Sequence, residues 1–155
     1  MIIAYLADYP QHIPTVAART YGEWGHLNEG DSIERRITRF QSHTGRPGIP
    51  MTLIAFEGET LYGSASLVVN DLTSHPHLTP FMASVFVAPE YRRRGVATAL
   101  VLQSIATIGQ LGIETLYLIT HDQQQLYKNL GWNPVEEIHY RGEDVTLMKI
   151  RCTTS

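Results

Sequence analysis

The residues best placed to do chemistry lie together in Val87–Leu100, VAPEYRRRGVATAL, where Arg92, Arg93 and Arg94 run directly into Gly95. Three adjacent guanidinium groups admit three readings: a grip on nucleic acid, a solvated charge run, or the rim of a phosphate cradle. The run stands between an apolar stretch and the start of an amphipathic one. The first amides of a helix have no internal acceptor and together carry about half a positive charge. Gly95 would let the backbone approach a ligand with no Cβ in the way, and the small Ala97 follows it. With arginines alongside, the segment describes an anion site long enough for a diphosphate. It has neither the Gly-Lys-Ser/Thr ending of a nucleotide P-loop nor the triple glycine of the dinucleotide fingerprint.

Composition weighs on the choice. A net charge of −3 counts against a dedicated nucleic-acid binder, so no nucleic-acid partner is expected. With 155 residues, 43% apolar and 17% charged, the chain suits one globular domain over 1–155. The lone cysteine, Cys152, excludes an internal disulfide and fits a reducing compartment. MIIAYLADYP has no basic start resembling a signal peptide, and no apolar run approaches the ~20 residues of a membrane span. These features predict a soluble, cytoplasmic domain with no membrane partner.

Periodicity supplies the elements that must hold the arginine loop. A strand is expected within Met1–Tyr9, closed by Pro10, then a helix from His12 to about Trp24. Asp31-Ser32-Ile33-Glu34 starts a second helix, with a stripe of Ile33, Ile37 and Phe40 and an end near Gly45. The break Gly45–Pro50 leads to strands over Met51–Phe56 and Thr60–Asn70 about a Glu57-Gly58-Glu59 turn. A polar loop, Asp71–Pro80, precedes Phe81–Val87, whose apolar run predicts a strand covered on both faces. A helix from about Gly95 to Gln110 carries Ala97, Leu100, Val101, Ile105, Ile108 and Leu111 inward. A strand over Ile113–Thr120, a short helix within Asp122–Trp132 and strands near Val135–Tyr140 and Val145–Ile150 complete the chain.

The order β-α-α-β-β-β-α-β-α-β-β predicts a mixed α/β sheet with helices on both faces. The strand–helix–strand unit from Phe81 to Thr120 makes its two strands parallel neighbours, with the arginine loop at the carboxyl end of the first. Ligands of open sheets bind at that end.

With its surroundings in place, the loop resembles a known family. Arg92-x-x-Gly95-x-Ala97 is similar to the pyrophosphate signature of the GCN5-related N-acetyltransferases (GNAT), Gln/Arg-x-x-Gly-x-Gly/Ala, between the fourth strand and third helix. VFVAPEYR before it resembles the family's approach to that loop. YKNLGW, Tyr127–Trp132, resembles its Tyr-x-x-x-Gly-aromatic element. The likeness spans nearly the whole chain and implies a GNAT-like acyl-CoA N-acyltransferase fold with acetyl-CoA as co-substrate.

The resemblance also implies roles. The amides of Arg94, Gly95, Val96, Ala97 and Thr98 would hold the pyrophosphate, with the side chains of Arg92, Arg93 and Arg94 adding charge. The backbone of Phe86 and Val87 would pair with the pantetheine arm, and an amide near Phe86 would hold the oxyanion. Tyr127 would be the general acid, and Asp122 takes the place of an asparagine that bonds the arm in other members. THDQ, Thr120–Gln123, followed by Tyr127, also resembles the actin N-terminal acetyltransferase branch over about a dozen residues.

The general base stays open. Some members carry a glutamate early in the fourth strand, where this chain has Phe81-Met82. Glu23, His26, Asp71, His75 and His77 are candidates, or a water chain leading to one of them. Two histidines without a third ligand give no metal site, so no metal is expected. The acceptor, a small-molecule or protein amine, is expected between Tyr21–Asp31 and Asp71–Phe81, where Tyr21, Trp24, Phe81 and several acids suit a cationic amine. The alternative is a non-catalytic acyl-CoA-binding module, which needs Arg92–Ala97 and does not need Tyr127. Pairing through an edge strand would allow a homodimer.

Overall fold

The computed structural model describes residues 1–27, 29–43 and 48–153. Its elements follow the expected order: β1 (Ile2–Tyr5), α1 (Ile13–Trp24), α2 (Ile33–Gln41), β2 (Met51–Glu57), β3 (Thr60–Val68), β4 (Phe81–Val87), α3 (Val96–Gln110), β5 (Thr115–Thr120), α4 (Gln124–Asn129), β6 (Asn133–Tyr140) and β7 (Glu143–Arg151). β1 stops at Tyr5, and a 3-10 turn over Leu6–Asp8 occupies most of the remaining stretch expected to hold a strand; a second, over Pro10–His12, leads into α1. α2 ends at Gln41. Gly45, its expected end and the start of the expected break, lies outside the described residues.

The seven strands form one mixed sheet in the order β1-β2-β3-β4-β5-β7-β6. β2 shows why it sits between two helical layers. Met51, Leu53 and Ala55 pack with α3 residues such as Leu100 and Val101, while Ile54 and Phe56 pack with Val16, Ala17 and Phe40 of α1 and α2. Alternate residues of a strand face opposite sides, so an unbroken apolar strand must be covered twice. Each of the larger side chains (Met51, Leu53, Ile54 and Phe56) contributes ~1.5–3 kcal/mol on full burial. Among the described residues no helix is long and apolar enough to cross a membrane.

The helices differ in places from their expected faces. On α2, Phe40 is buried and Ser32 caps the helix by accepting the Arg35 amide at 3.0 Å, but Ile33 is 37% exposed and Arg36 is only 3% exposed. On α3, Leu100, Val101 and Ile108 are buried together with Val96, Ser104 and Thr107. Ser104 meets its polar requirement inside the helix by donating to the Leu100 carbonyl at 2.8 Å.

β4 and β5 are parallel neighbours, yet their register contains one pair, Phe81 with Tyr117. Beyond it the two strands diverge. β4 carries an irregularity against β3, where Ser64 faces Phe86 and Ser66 faces Ala83, and Ser84 takes φ +55°. Two residues of β4 thus oppose one of β3, the arrangement of a bulge, which bends the strand. The expectation that β4 is covered on both faces is corrected here: Ala83, Ser84 and Val85 are half-buried because the divergence opens beside them.

The bent β4 lies very close to β3. A Cβ on Gly63 would stand 2.5 Å from the Phe86 carbonyl oxygen, a backbone atom with no freedom to swing aside. Gly63→Ala should therefore cost about 1–3 kcal/mol through a forced backbone shift, read as a lowered thermal midpoint. An unchanged midpoint would show that β4 is not held against β3 as described.

Candidate active site

The divergence of β4 and β5 leads into a cavity of about 1120 Å³. It reaches from the start of α3 to the end of α1 and the β6–β7 hairpin. At one end, Gly95 caps α3 in the left-handed region at φ +80° and offers no side-chain cap. The first intrahelical bond runs from the Ala99 amide to the Gly95 carbonyl at 3.0 Å, so the amides of Val96, Ala97 and Thr98 precede the helix's own acceptors. Gly95 is required first by its φ; a Cβ there would meet no protein atom within 4 Å. Arg93 also has φ +64°, so the loop is wound tightly into the helix start.

Of the three arginines, Arg92 and Arg93 line the cavity with Gly95, Val96, Ala97 and Thr98. Arg94 is absent from that lining, and its guanidinium lies 5.9 Å from the Tyr91 ring centre. Arg92 Nε donates to the Val87 carbonyl at 2.9 Å, and its guanidinium stands 6.0 Å from the Phe86 ring centre.

The strand register separates the two expected β4 residues. The Ala88 amide donates to the Tyr62 carbonyl at 3.0 Å, and Phe86 lies opposite Ser64. In an antiparallel ladder, pairs alternate between bonded and non-bonded. The polar backbone groups of Phe86 therefore turn toward β3 and those of Val87 toward β5. Phe86 contributes its ring to the cavity, edge-on to Trp24 at 6.2 Å.

Tyr127 stands on the other side of the divergence. It is 7% exposed, lines the cavity, and burial pushes its phenol up to about 12. The sequence YKNLGW holds it by a specific backbone device. After α4, the Trp132 amide donates to the Tyr127 carbonyl and the Gly131 amide to the Lys128 carbonyl, both at 3.0 Å. This is a Schellman motif, whose left-handed residue is Gly131 at φ +100°. The accompanying apolar contact is Tyr127 against Trp132, ring centres 5.9 Å apart.

The candidate bases separate by position. His75 and His77 stack on one another at 6.2 Å outside the cavity lining, and His75 pairs with Glu136 at 3.2 Å, so neither faces the site. Glu23 and His26 line its far end from exposed positions. Asp71 faces the cavity and is pushed up to about 6, mainly by burial, against an opposing pull from Arg141. Its loop is fixed by Asn70, whose Nδ2 donates to the His75 and Leu78 carbonyls and whose Oδ1 accepts the Leu72 amide, all at 3.0–3.1 Å. The Tyr140 hydroxyl accepts the Thr73 amide at 3.0 Å, tying the loop to the β6–β7 hairpin.

Other expected residues fall elsewhere. Phe81 is fully buried and Tyr21 packs over Gly25, so neither lines the acceptor end, whereas Trp24 does; Asn28, inside the expected acceptor segment, lies outside the described residues. Asp122 lines the cavity and accepts from Gln123 Nε2 at 3.4 Å, beside His121, which pairs with Glu143. Sequence reasoning missed Arg36, Arg39, Tyr140, Arg141 and Glu143, all in the lining. The hairpin's YRGE turn carried no signal linking it to α3 or α4. Arg36 stands four residues before Phe40 and three before Arg39, so its place on the helix's inner side was a signal that was present. Among the described residues no group of three His, Cys, Asp or Glu could hold a metal ion.

Comparison with known proteins agrees with this fold. A structure of an aminoglycoside 6'-N-acetyltransferase complexed with coenzyme A superposes with a TM-score of 0.80 at 14% identity, covering 100% of this chain and 99% of that one. A putative acetyltransferase from Salmonella typhimurium with its cofactor acetyl-CoA gives 0.77 at 16%, covering 100% and 95%. A ribosomal-protein-alanine N-acetyltransferase from Brucella melitensis gives 0.77 at 16%, covering 97% and 99%. No curated protein matches the sequence. The sequence model of the acetyltransferase (GNAT) family matches residues 15–132. The chain belongs to the GNAT acetyltransferase family.

Proposed function

We propose that the protein transfers an acetyl group from acetyl-CoA to a primary amine, directly, with both substrates bound together. The observation that carries this reading is the continuity of one cavity from the uncapped start of α3 to Tyr127 and Asp71. The free amides, Gly95 and the two exposed arginines at the cavity rim suit a pyrophosphate, and a cavity of about 1120 Å³ has room for an extended arm. Structural neighbours with coenzyme A or acetyl-CoA bound support the same donor.

In this reading the amides from Arg94 to Thr98 hold the pyrophosphate, helped by Arg92 and Arg93. Val87, whose backbone faces the divergence, offers its amide to the arm while Arg92 occupies its carbonyl. Phe86 covers the arm with its ring, and Asp122 stands beside it at the end of β5. Acetyl-CoA supplies the activated acetyl thioester. A backbone amide of the bulged residues 84–85 stabilises negative charge on the acyl oxygen.

Asp71 accepts the proton that the amine nitrogen sheds as the new N–C bond forms, because that nitrogen becomes strongly acidic at that moment. Tyr127 donates its hydroxyl proton to the sulfur as the C–S bond breaks. Its raised pKa keeps the phenol protonated at neutral pH. Solvent then returns a proton to Tyr127 and removes one from Asp71.

Calorimetric titration with acetyl-CoA, beside a thiol-release assay over a panel of amines, tests the reading. Tyr127→Phe should lower kcat by about 10²-fold or more, the scale of a lost general acid, with coenzyme affinity changed less than about threefold. Equal turnover by this variant would remove Tyr127 from the chemistry, and no saturable coenzyme binding would overturn the proposal.

Asp71 gives a second test. Its carboxyl must be ionised to act, so wild-type kcat/KM should fall as pH drops through about 6. Asp71→Asn should lose that limb together with most of the rate. The folded pKa lies above the ordinary 3.8, so the ionised form is disfavoured in the fold, and stability declines as pH rises from about 4 through 6. Asp71→Asn should accordingly raise the thermal midpoint at pH 7. A variant that is both inactive and less stable would point to structural damage instead.

A further inference from the structure

The tip of the β6–β7 hairpin lines the cavity, and one of its side chains is bonded to the loop that carries Asp71. The hairpin turns through Arg141 and Gly142, left-handed at φ +51° and +82°, between the paired residues Tyr140 and Glu143. Positive φ at both central residues is the tight two-residue turn whose twist matches its strands, so Tyr140 stands on a stiff base. Glu143 pairs with His121, just beyond β5, which ties the tip to the middle of the sheet.

The Tyr140 hydroxyl makes two bonds to one residue of that loop. It accepts the Thr73 amide at 3.0 Å and shares a second bond with Thr73 Oγ1 at 2.9 Å. Thr73 is two residues beyond Asp71. Leu72, between them, is fully buried with Phe81 and Leu147, and Tyr140 packs against this cluster. Burial of Leu72 holds the segment down without giving it a direction; the two bonds fix which way it turns. Asn70 sets the loop's internal shape, not its place on the sheet. The other link to the hairpin, His75 to Glu136 at 3.2 Å, lies four residues from Asp71 and is partly exposed, where a pair contributes little. Among the described residues the Asp71 carboxylate itself accepts no hydrogen bond, so its position is that of its backbone.

Charged groups face Asp71 from several elements. From α2, Arg36 is paired with Asp31 and Arg39 is exposed, and just past that helix His43 is neutral at pH 7. Glu143 is engaged by His121, and Glu23, His26, Asp122 and the protonated Tyr127 line the same cavity. Arg141, 5.1 Å from the Tyr140 ring centre, favours the ionised carboxylate, and burial opposes it more strongly. We propose that Tyr140 is the positioning residue of Asp71: through Thr73 it holds the carboxylate where the acceptor amine sheds its proton. This rests on the acetyl-transfer reading with Asp71 as proton acceptor. The Tyr140 hydroxyl, engaged with Thr73, takes no part in the proton transfer.

The test is thiol release against pH, at saturating acetyl-CoA with the most active amine of the panel. Tyr140→Phe keeps the ring and should lower kcat by about tenfold, short of the ~10² of a full 1 Å misplacement. KM for the amine should change less than about threefold. Released from its buried seat, Asp71 ionises more easily, so the acidic limb of kcat/KM moves to lower pH. Arg141→Gln removes the opposing pull and moves the limb to higher pH. Opposite movements from adjacent residues are not what general loosening produces. In an Asp71→Asn background, Tyr140→Phe should cost less than about twofold further. Undiminished kcat in Tyr140→Phe, a limb that stays or rises there, or a loss that persists in Asp71→Asn overturns the inference and leaves acetyl transfer standing. A loss confined to KM for the amine puts the hydroxyl on the acceptor and overturns it likewise. Asp71→Asn with the wild-type rate and limb overturns Asp71 as the base, and the inference with it. A chain that neither binds acetyl-CoA nor turns over any amine overturns both readings.

Discussion

The site depends on a missing set of hydrogen bonds. β4 and β5 are neighbours in the middle of the sheet, but they pair only at Phe81 and Tyr117. Backbone groups in a sheet interior are ordinarily satisfied by the adjacent strand, and leaving them open costs free energy unless another partner takes them. Here the Val87 carbonyl takes Arg92 Nε, so the strand's last outward acceptor is bonded to the loop that leads into α3. The same divergence puts the half-covered middle of β4, the start of α3 and Tyr127 on one cavity. Had the two strands remained paired along their length, the helix start would still attract anions, but no path would connect it to the tyrosine.

The groups around that path are held by local backbone devices. Tyr127 stands on a helix of six residues, too short to be stable by itself. The Schellman bonds from Gly131 and Trp132, with the packing of Trp132, fix where the helix ends and thus where the phenol stands. Asp71 lies in a loop whose shape is set by three bonds to the Asn70 side chain. Reactive groups held in this way lose little additional freedom when a substrate binds, which is what positioning for catalysis requires.

Much of this was legible in the sequence because the relevant features are local. The short apolar run of β2, the 3.6 period of α1 and α3 and the Ser32 cap each depend on residues close together in the chain. Gly95 was read for close approach to a ligand, and the structure requires it first for its φ. The illegible parts depend on where elements meet. Nothing in FMASVFV announces that Ser84 leaves the ladder, since the bulge is a relation between β3 and β4. Arg36 reads as a surface residue until Asp31 is seen to bury it. His75 and His77 look as able as Asp71 to act as a base, and only the turn of the loop directs His75 toward Glu136 instead, with His77 stacked on it.

Hydrogen exchange with and without acetyl-CoA examines the central claim directly, because it reports where along the backbone the molecule is held. Saturable protection of residues 94–98 together with 85–87 is the predicted result, since both segments lose contact with water only when the cradle and the diverging strands are filled together. Protection confined to one of these segments, or located on the β6–β7 hairpin alone, would contradict the account.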